Sequence, residues 1–441
     1  MVGYRLNGRP SAFWRGDWFV GKGVGWAKIL LPERFVAAGG EGGRGGGRRE
    51  KRRRRYLEVF NTHLHAPYDE GKDGKDTYSC HRVAQAWEMA GLMRRGMERG
   101  SLVVGGGDFN MVVAGLEYRV IQAQTRGLLR DVWREMYPES SVGAWIDGSE
   151  RDRLKALGQA DRGPPTVEES LRRHGHTCDS VVNTWRWSKA AQTDLLKKGR
   201  DRVVGPAEED PRAKRLDYIF VGGGTGTGRE PEPGTGPGLG ECGLQEVRVC
   251  MTERHPELKC SLSDHFAVEA EIVLPRAGEA ETVSDVHHEQ PVRDEMQKQP
   301  RQEDIDNSDL YTAILHLIST YTARQRLHRR RRCIHFLASV VISLACFVAV
   351  CFSPANYVSF ILLVLSSLGL MAGTVDGLIG LLFGGYELRA LKEFEWEVRN
   401  AKRFEEEEER GRDAKGGVPT ENRCEEEEEE EEMGRVKDWW D

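Results

Sequence analysis

The chain has 441 residues, 39% apolar and 30% charged, enough to bury a substantial core and to form more than one unit. Its net charge of −6 hides two parts: Phe404 to Asp441 holds seventeen acidic against six basic residues, so the rest of the chain is mildly basic. Nine cysteines at irregular spacings, with no C-x-x-C pair, argue against a zinc site or a disulfide framework, and the first residues lack the apolar core of a secretory signal.

Near the start, GDWFVGKG (Gly16 to Gly23) comes close to a phosphate-binding loop, but Gly23 stands where a Mg²⁺-binding hydroxyl is needed. The residues that follow, through AKILL, read as a strand and not as the helix that such a loop feeds. Residues 39–55 are a glycine- and arginine-rich run that cannot bury apolar surface and is expected to be a disordered surface insertion. From Tyr56 onward, short strands alternate with helices: YLEVFNT, a helix over CHRVAQAWEMAGLMRRGMERG, SLVVGGG, RLDYIFV, LQEVRVCM and FAVEAEIVL. The pattern is α/β. Gly222 to Gly243 reads as a loop and 276–332 as a polar linker ending in a basic segment.

Cys333 to Phe352 is an uncharged run of about twenty residues, which at ~1.5 Å per residue matches a hydrocarbon core of roughly 30 Å. Tyr357 to Phe383 supplies a second span whose one charge, Asp376, lies towards its end. Together, 333–385 are expected to form a transmembrane hairpin. Arg324, Arg326, Arg329, Arg330, Arg331 and Arg332 abut the first span, which places both flanks on the cytosolic side and offers a contact for anionic phospholipid. The segment 386–441 is expected to be a cytosolic helix followed by an acidic disordered tail.

Four segments place Asp, Asn or His at strand ends: NTHLHAPY, GGGDFN, RLDYIF and LSDHFAVEA. Metal-assisted phosphodiester hydrolysis needs a carboxylate for the cation, an acid/base group near neutrality and donors for the phosphoryl oxygens. Asp108, His265, and the pair Asn110 and His63 offer these in turn, with Asp217 as a carboxylate to fix the histidine. Singly each signal is weak; their order along the chain is far more specific.

That order, with FNTHLHAPY, CHRVAQAWEMA, GDFNMV, TCDSVVNTWRW and RAKRLDYIFV around it, resembles the neutral sphingomyelinase branch of the endonuclease/exonuclease/phosphatase superfamily, and within it the fungal inositol phosphosphingolipid phospholipases C. The likeness runs over roughly 3–274 and extends to the hairpin. It implies a four-layer α/β sandwich over 1–275, with two mixed sheets face to face and helices outside. It further implies His265 as general base oriented by Asp217, Asp264 in metal or water positioning, Asp108 at the nucleophile and the metal, and Asn110 and His63 on the phosphate. Mg²⁺ is the implied cofactor, a sphingolipid the substrate, and anionic phospholipids the activators, on an endoplasmic reticulum or mitochondrial membrane.

In this branch the segment around GDWFVGKG resembles a regulatory loop, with Asp17 and Lys22 as the residues of a charge switch. The family pattern begins upstream with an asparagine-bearing strand and a Q-E motif whose glutamate is the principal Mg²⁺ ligand. The chain starts after both, and Gln245-Glu246 lies in a different strand, so the sequence as given is expected to be truncated and weakly active or inactive. A catalytically impaired membrane scaffold, a nuclease and an inositol polyphosphate phosphatase of the same fold are the alternatives. The hairpin speaks against nucleic acid as a partner.

Overall fold

The computed structural model describes residues 1–6, 21–32, 56–67, 77–113, 115–140, 163–223, 243–274 and 307–416, with Trp18, Lys155 and Gly158 besides. Asp17, the 39–55 run, most of the 222–243 loop and the acidic tail beyond 416 lie outside the described residues.

The expected strands pair into two sheets. The larger has six strands in the order β1-β2-β3-β4-β6-β5: β1 Val2–Gly3, β2 Gly23–Leu30, β3 Tyr56–His63, β4 Leu102–Asp108, β5 Leu129–Asp131 and β6 Asp217–Gly223. β3 and β4 run parallel, because the helix α1 (Ser79–Glu98) returns the chain between them; the other neighbours are antiparallel. The smaller sheet is the antiparallel pair β7 (Gly243–Cys250) and β8 (Ala267–Val273). Lys22 thus leads into a strand, as the sequence required, and not into a phosphate-loop helix.

Side chains alternate across a strand, so each sheet face has its own set of residues. Phe60, Val103, Tyr218 and Phe220 point into a core shared with Val83, Met89 and Met93 of α1 and Val120 and Ile121 of α2 (Leu116–Gln124). Leu102, Val104, Ile219 and Val221 meet Val247, Val249, Val268 and Ala270 of the smaller sheet, with Trp133 of α3 (Val132–Met136) wedged among them. The chain is therefore an α/β sandwich with its sheets face to face and helices outside.

Gly105 and Gly107 show why the GGG run precedes the aspartate. A Cβ at Gly105 would come within 2.4 Å of Met93 Sδ, so its absence lets α1 lie close on the sheet. Gly107 has φ +133°, and a Cβ there would stand 1.9 Å from the Thr62 carbonyl oxygen on β3. Gly107→Ala is expected to cost at least ~2–3 kcal/mol from backbone strain alone and to lower the midpoint of thermal unfolding. An unchanged midpoint would refute this reading of the strand end.

The C-terminal helices depart from expectation in one respect. After α4 (Lys189–Lys198), the linker and basic segment expected up to 332 are helical from Asn307, in one helix, α5 (Asn307–Cys351), that continues through the apolar run. Leu310, Tyr311, Ile314, Ile318 and Tyr321 recur at helical spacing and are buried in the core against α1. After α6 (Asn356–Leu378) and a wide turn, Ile379–Phe383, the helix α7 (Gly384–Gly416) returns to the same core through Leu391, Phe394 and Val398. The helix expected after the hairpin thus packs its apolar side on the core of the sandwich.

Among the described residues, two helical stretches are long and apolar enough to cross a membrane, Asp309–Cys351 and Asn356–Glu407. α5 and α6 pack closely where Gly373 faces Ser339 and Gly377 faces Phe336. Asp376 is held between Arg332 and His335, whose Nδ1 lies 2.8 Å from its Oδ2. Pairing a carboxylate in this way offsets the cost of placing it within an apolar helix.

Candidate active site

Strand register gathers the site. His63 lies opposite Asp108 across β3 and β4, and Asp108 lies opposite Asp217 across β4 and β6, so three adjacent strand ends carry the three residues. His63 Nε2 is 3.3 Å from Asp108 Oδ2. Asn110, two residues beyond the strand, adopts a left-handed backbone (φ 46°) that asparagine tolerates. The turn closes on Asp108: the Asn110 amide donates to Oδ1 at 2.9 Å and its Nδ2 to Oδ2 at 3.0 Å, while Nδ2 also reaches the Leu64 carbonyl.

His265 arrives from the other sheet, just before β8. The segment Thr177–Cys178 joins the two approaches, bridging to Lys214 ahead of β6 and to His265 ahead of β8. The Phe266 amide donates to the Thr177 carbonyl at 2.8 Å. His265 Nδ1 then lies 2.8 Å from Asp217 Oδ2, and the Thr177 hydroxyl donates to that same oxygen at 2.6 Å. Asn183 fixes the loop before the histidine by donating to the carbonyls of Ser263 and Asp264 at 2.9 and 3.0 Å.

Of the residues expected at the site, His63, Asp108, Asn110, Asp217 and His265 come together. Asp264 does not join them: its carboxylate is exposed and accepts from Ser263 Oγ at 3.2 Å. Glu246 lies on the outer face of β7 beside Arg248. Lys22 is buried and near enough to Asp108 for its charge to favour the carboxylate. Thr177, Cys178 and Asn183 lie within TCDSVVNTWRW but drew no role from sequence, since a lone hydroxyl, thiol or amide in a loop has no periodicity to mark it.

One oxygen or nitrogen from each of Asp108, Asp217 and His265 lies within 4.8 Å of the other two, a group that can hold a metal ion. Hard carboxylate oxygens suit a divalent cation such as Mg²⁺, with water completing its shell. Burial pushes Asp108 up to about 7, and the Asp217 charge beside it works in the same direction against His265, Asn110 and Lys22. Burial alone would lower the basicity of His265, but its hydrogen bonds to Asp217 and Cys178 push it up to about 11. Two carboxylates thus crowd around one imidazole, with buried Lys22 as a positive charge near them.

Of the six arginines, three are engaged within the protein. Arg324 donates to the Thr77 carbonyl and lies over the Tyr321 ring, Arg329 Nε donates to the Gly380 carbonyl at 3.2 Å, and Arg332 pairs with Asp376. Arg326, Arg329 and Arg330 line a cavity with Cys333 and Leu388 where α5 and α7 leave the body, and Arg331 is exposed beside them.

A face-to-face α/β sandwich that gathers an Asp-His pair, an Asp-x-Asn turn and a further histidine at one sheet end has the groups that metal-assisted phosphodiester hydrolysis needs. No family model matches the chain. The inositol phosphosphingolipids phospholipase C of Schizosaccharomyces pombe is 32% identical over 403 residues, 91% of this chain and 74% of that protein. That of Saccharomyces cerevisiae is 28% identical over 402 residues, 90% of this chain and 66% of that one. Sphingomyelin phosphodiesterase 2 of Rattus norvegicus is 36% identical over 108 residues, 24% of this chain and 20% of that one. The chain belongs to the inositol phosphosphingolipid phospholipase C family.

Proposed function

We propose that the chain is a Mg²⁺-dependent phospholipase C acting on inositol phosphosphingolipid or sphingomyelin, releasing the phosphorylated headgroup and leaving ceramide in the membrane. The observation that carries the reading is the meeting of His63, Asp108, Asn110, Asp217 and His265 at one sheet end, in a chain of this family. A water oxygen attacks phosphorus, the bond to the ceramide oxygen breaks, and a proton passes from the water to that oxygen. His265, fixed at Nδ1 by Asp217, moves this proton at Nε2. His63 and, on releasing one of its Nδ2 contacts with Asp108 and the Leu64 carbonyl, Asn110 donate to the phosphoryl oxygens as charge builds on them, and Asp108 orients the water. A divalent cation held by the Asp108 and Asp217 carboxylates would add positive charge there, lowering the proton affinity of His265 and stabilising the phosphoryl oxygens.

The test is turnover of labelled inositol phosphosphingolipid, sphingomyelin and abasic DNA by the purified full chain. We expect a sphingolipid to be cleaved slowly with Mg²⁺, at least a hundredfold less after chelation, and again on adding the ion back. Cleavage of DNA alone, or lipid cleavage indifferent to chelation, would overturn the reading.

The two apolar helices form a membrane hairpin with both flanks in the cytosol, on the endoplasmic reticulum or mitochondria. Arg326, Arg329, Arg330 and Arg331 take anionic phospholipid headgroups. The loop through Asp17 and Lys22 regulates the site, and the burial of Lys22 near Asp108 supports this, because moving that cation changes the charge of the site directly. Lys22→Ala is expected to abolish the stimulation of turnover by vesicles containing anionic phospholipid. Stimulation equal to that of the unsubstituted chain would sink the switch.

A further inference from the structure

The path of α5 shows which end of the catalytic body faces the apolar helices. Tyr311 packs on Trp87 midway along α1, with ring centroids 6.3 Å apart, and Tyr321 packs on His81 in its first turn, at 5.2 Å. Arg324 then reaches the Thr77 carbonyl, just before α1 begins. α5 therefore runs antiparallel to α1, towards the end of the sheet from which α1 departs. That is the active-site end: His65, two residues past His63, stacks on Tyr78 with centroids 4.1 Å apart. Beyond Arg324 the same helix continues into the uncharged run that starts at Cys333.

Two loops rise at this end of the sheets. β7 finishes at Cys250 opposite Ala267, the first residue of β8, so 251–265 forms a loop that ends at His265. The segment 183–187 is stitched to it: the Ser261 amide donates to Thr184 Oγ1 at 2.8 Å and the Thr184 amide to Ser261 Oγ at 3.1 Å. Trp185 is held outward, with its indole N–H donating to the Ser261 carbonyl at 3.0 Å, yet the residue stays 54% exposed. Leu262, three residues before His265, is 48% exposed and Leu258 is 57% exposed. Lys259 is exposed on the 251–265 loop, and Lys189 is exposed two residues after the 183–187 segment.

An indole whose N–H is satisfied and whose rings meet water, flanked by leucines and lysines, has the chemistry of a group that sits at a headgroup layer. We propose that Trp185, Leu258 and Leu262 form a docking surface that seats the rim of the active site in the bilayer entered by α5. This rests on the lipid phosphodiester reading above and adds to it the means by which the site meets a substrate phosphate lying at the depth of the headgroups. The partner is a lipid surface because the helix that leaves the body at this end is the one that continues into the apolar span.

The test uses the full chain in lipid nanodiscs and compares turnover of long-chain sphingolipid in the bilayer with that of a water-soluble short-chain analogue. In the double variant Trp185→Ser/Leu262→Ser the ratio of the two rates should fall about tenfold, since apolar burial at the interface is lost. Trp185→Phe should restore most of the ratio. Any effect of the lost indole hydrogen bond on folding enters both rates and cancels in the ratio; an unchanged ratio overturns the proposal. A second readout needs no catalysis: brominated lipids should quench the part of the fluorescence that Trp185→Phe removes. If that part is unquenched, as it would be with a protein covering the patch, docking on lipid is overturned. If it is quenched while neither lipid is cleaved, the docking surface stands and the substrate assignment fails.

Discussion

His265→Ala is expected to lower kcat on the sphingolipid substrate by about 10²- to 10⁴-fold with little change in KM, the range for loss of a positioned acid/base group. The geometry makes the effect specific. Asp217 Oδ2 accepts from both His265 Nδ1 and the Thr177 hydroxyl, so the imidazole is held in one orientation by a carboxylate that is itself held. Asp217→Asn keeps the shape of that contact but removes its charge, and should lose nearly as much activity while shifting the pH profile. A His265→Ala chain within tenfold of the unsubstituted rate would mean that the proton moves elsewhere, and the assignment of the site would fall. Unfolding midpoints of both variants should stay close to the original, because the histidine lies at a loop end and not in the core.

Asp131→Ala is expected to be the most destabilising single change, at about 3–5 kcal/mol, because it strands a buried cation. Arg215 is fully buried, its Nη1 lies 2.9 Å from each Asp131 oxygen, and its guanidinium stacks over the Tyr218 ring at 4.7 Å. Asp131 also caps α3, accepting from the Trp133 amide at 3.0 Å. Arg215 stands two residues before Asp217, so its displacement would also disturb the approach to β6. Thermal unfolding in detergent should show a lower midpoint for Asp131→Ala and a partial recovery for Asp131→Leu/Arg215→Met, in which no charge remains buried. Equal midpoints for the single and double variants would refute the charge argument.

Most of the body was legible in the sequence because its elements are marked locally. β3, β4 and β6 are short apolar runs with Asp, Asn or His at the end that forms the site, and α1 repeats its apolar residues at helical spacing. The alternation along each strand was enough to divide Phe60, Tyr218 and Phe220 from Val104, Ile219 and Val221, which face opposite layers. The meeting of Asp108, Asp217 and His265 depends on register between strands far apart in the chain, and only the order of the motifs hinted at it.

What escaped was whatever is fixed by partners. Residues 307–323 carry Leu310, Ile314, Ile318 and Tyr321 at a helical period that can be read from the sequence, but mixed with enough polar residues to pass for a linker; burial against α1 is a fact of packing. The same holds for Leu391, Phe394 and Val398 in α7. Thr177 acquires its role only because Asp217 is brought within 2.6 Å of it. Asp376 read as a stray charge near a span end until Arg332 and His335, some forty residues earlier, were found beside it.

The unbroken course of α5 has one more consequence. A helix rooted in the core by Leu310, Ile314 and Ile318 and continuing without a hinge through its apolar half is a rigid post, not a tether. With that half in a bilayer, the catalytic centre would ride at a fixed height, and a leash-like reach to neighbouring vesicles or organelles would be denied to it. Substrate would have to come by lateral diffusion within the leaflet beneath, so the rate would follow how crowded and how fluid that leaflet is.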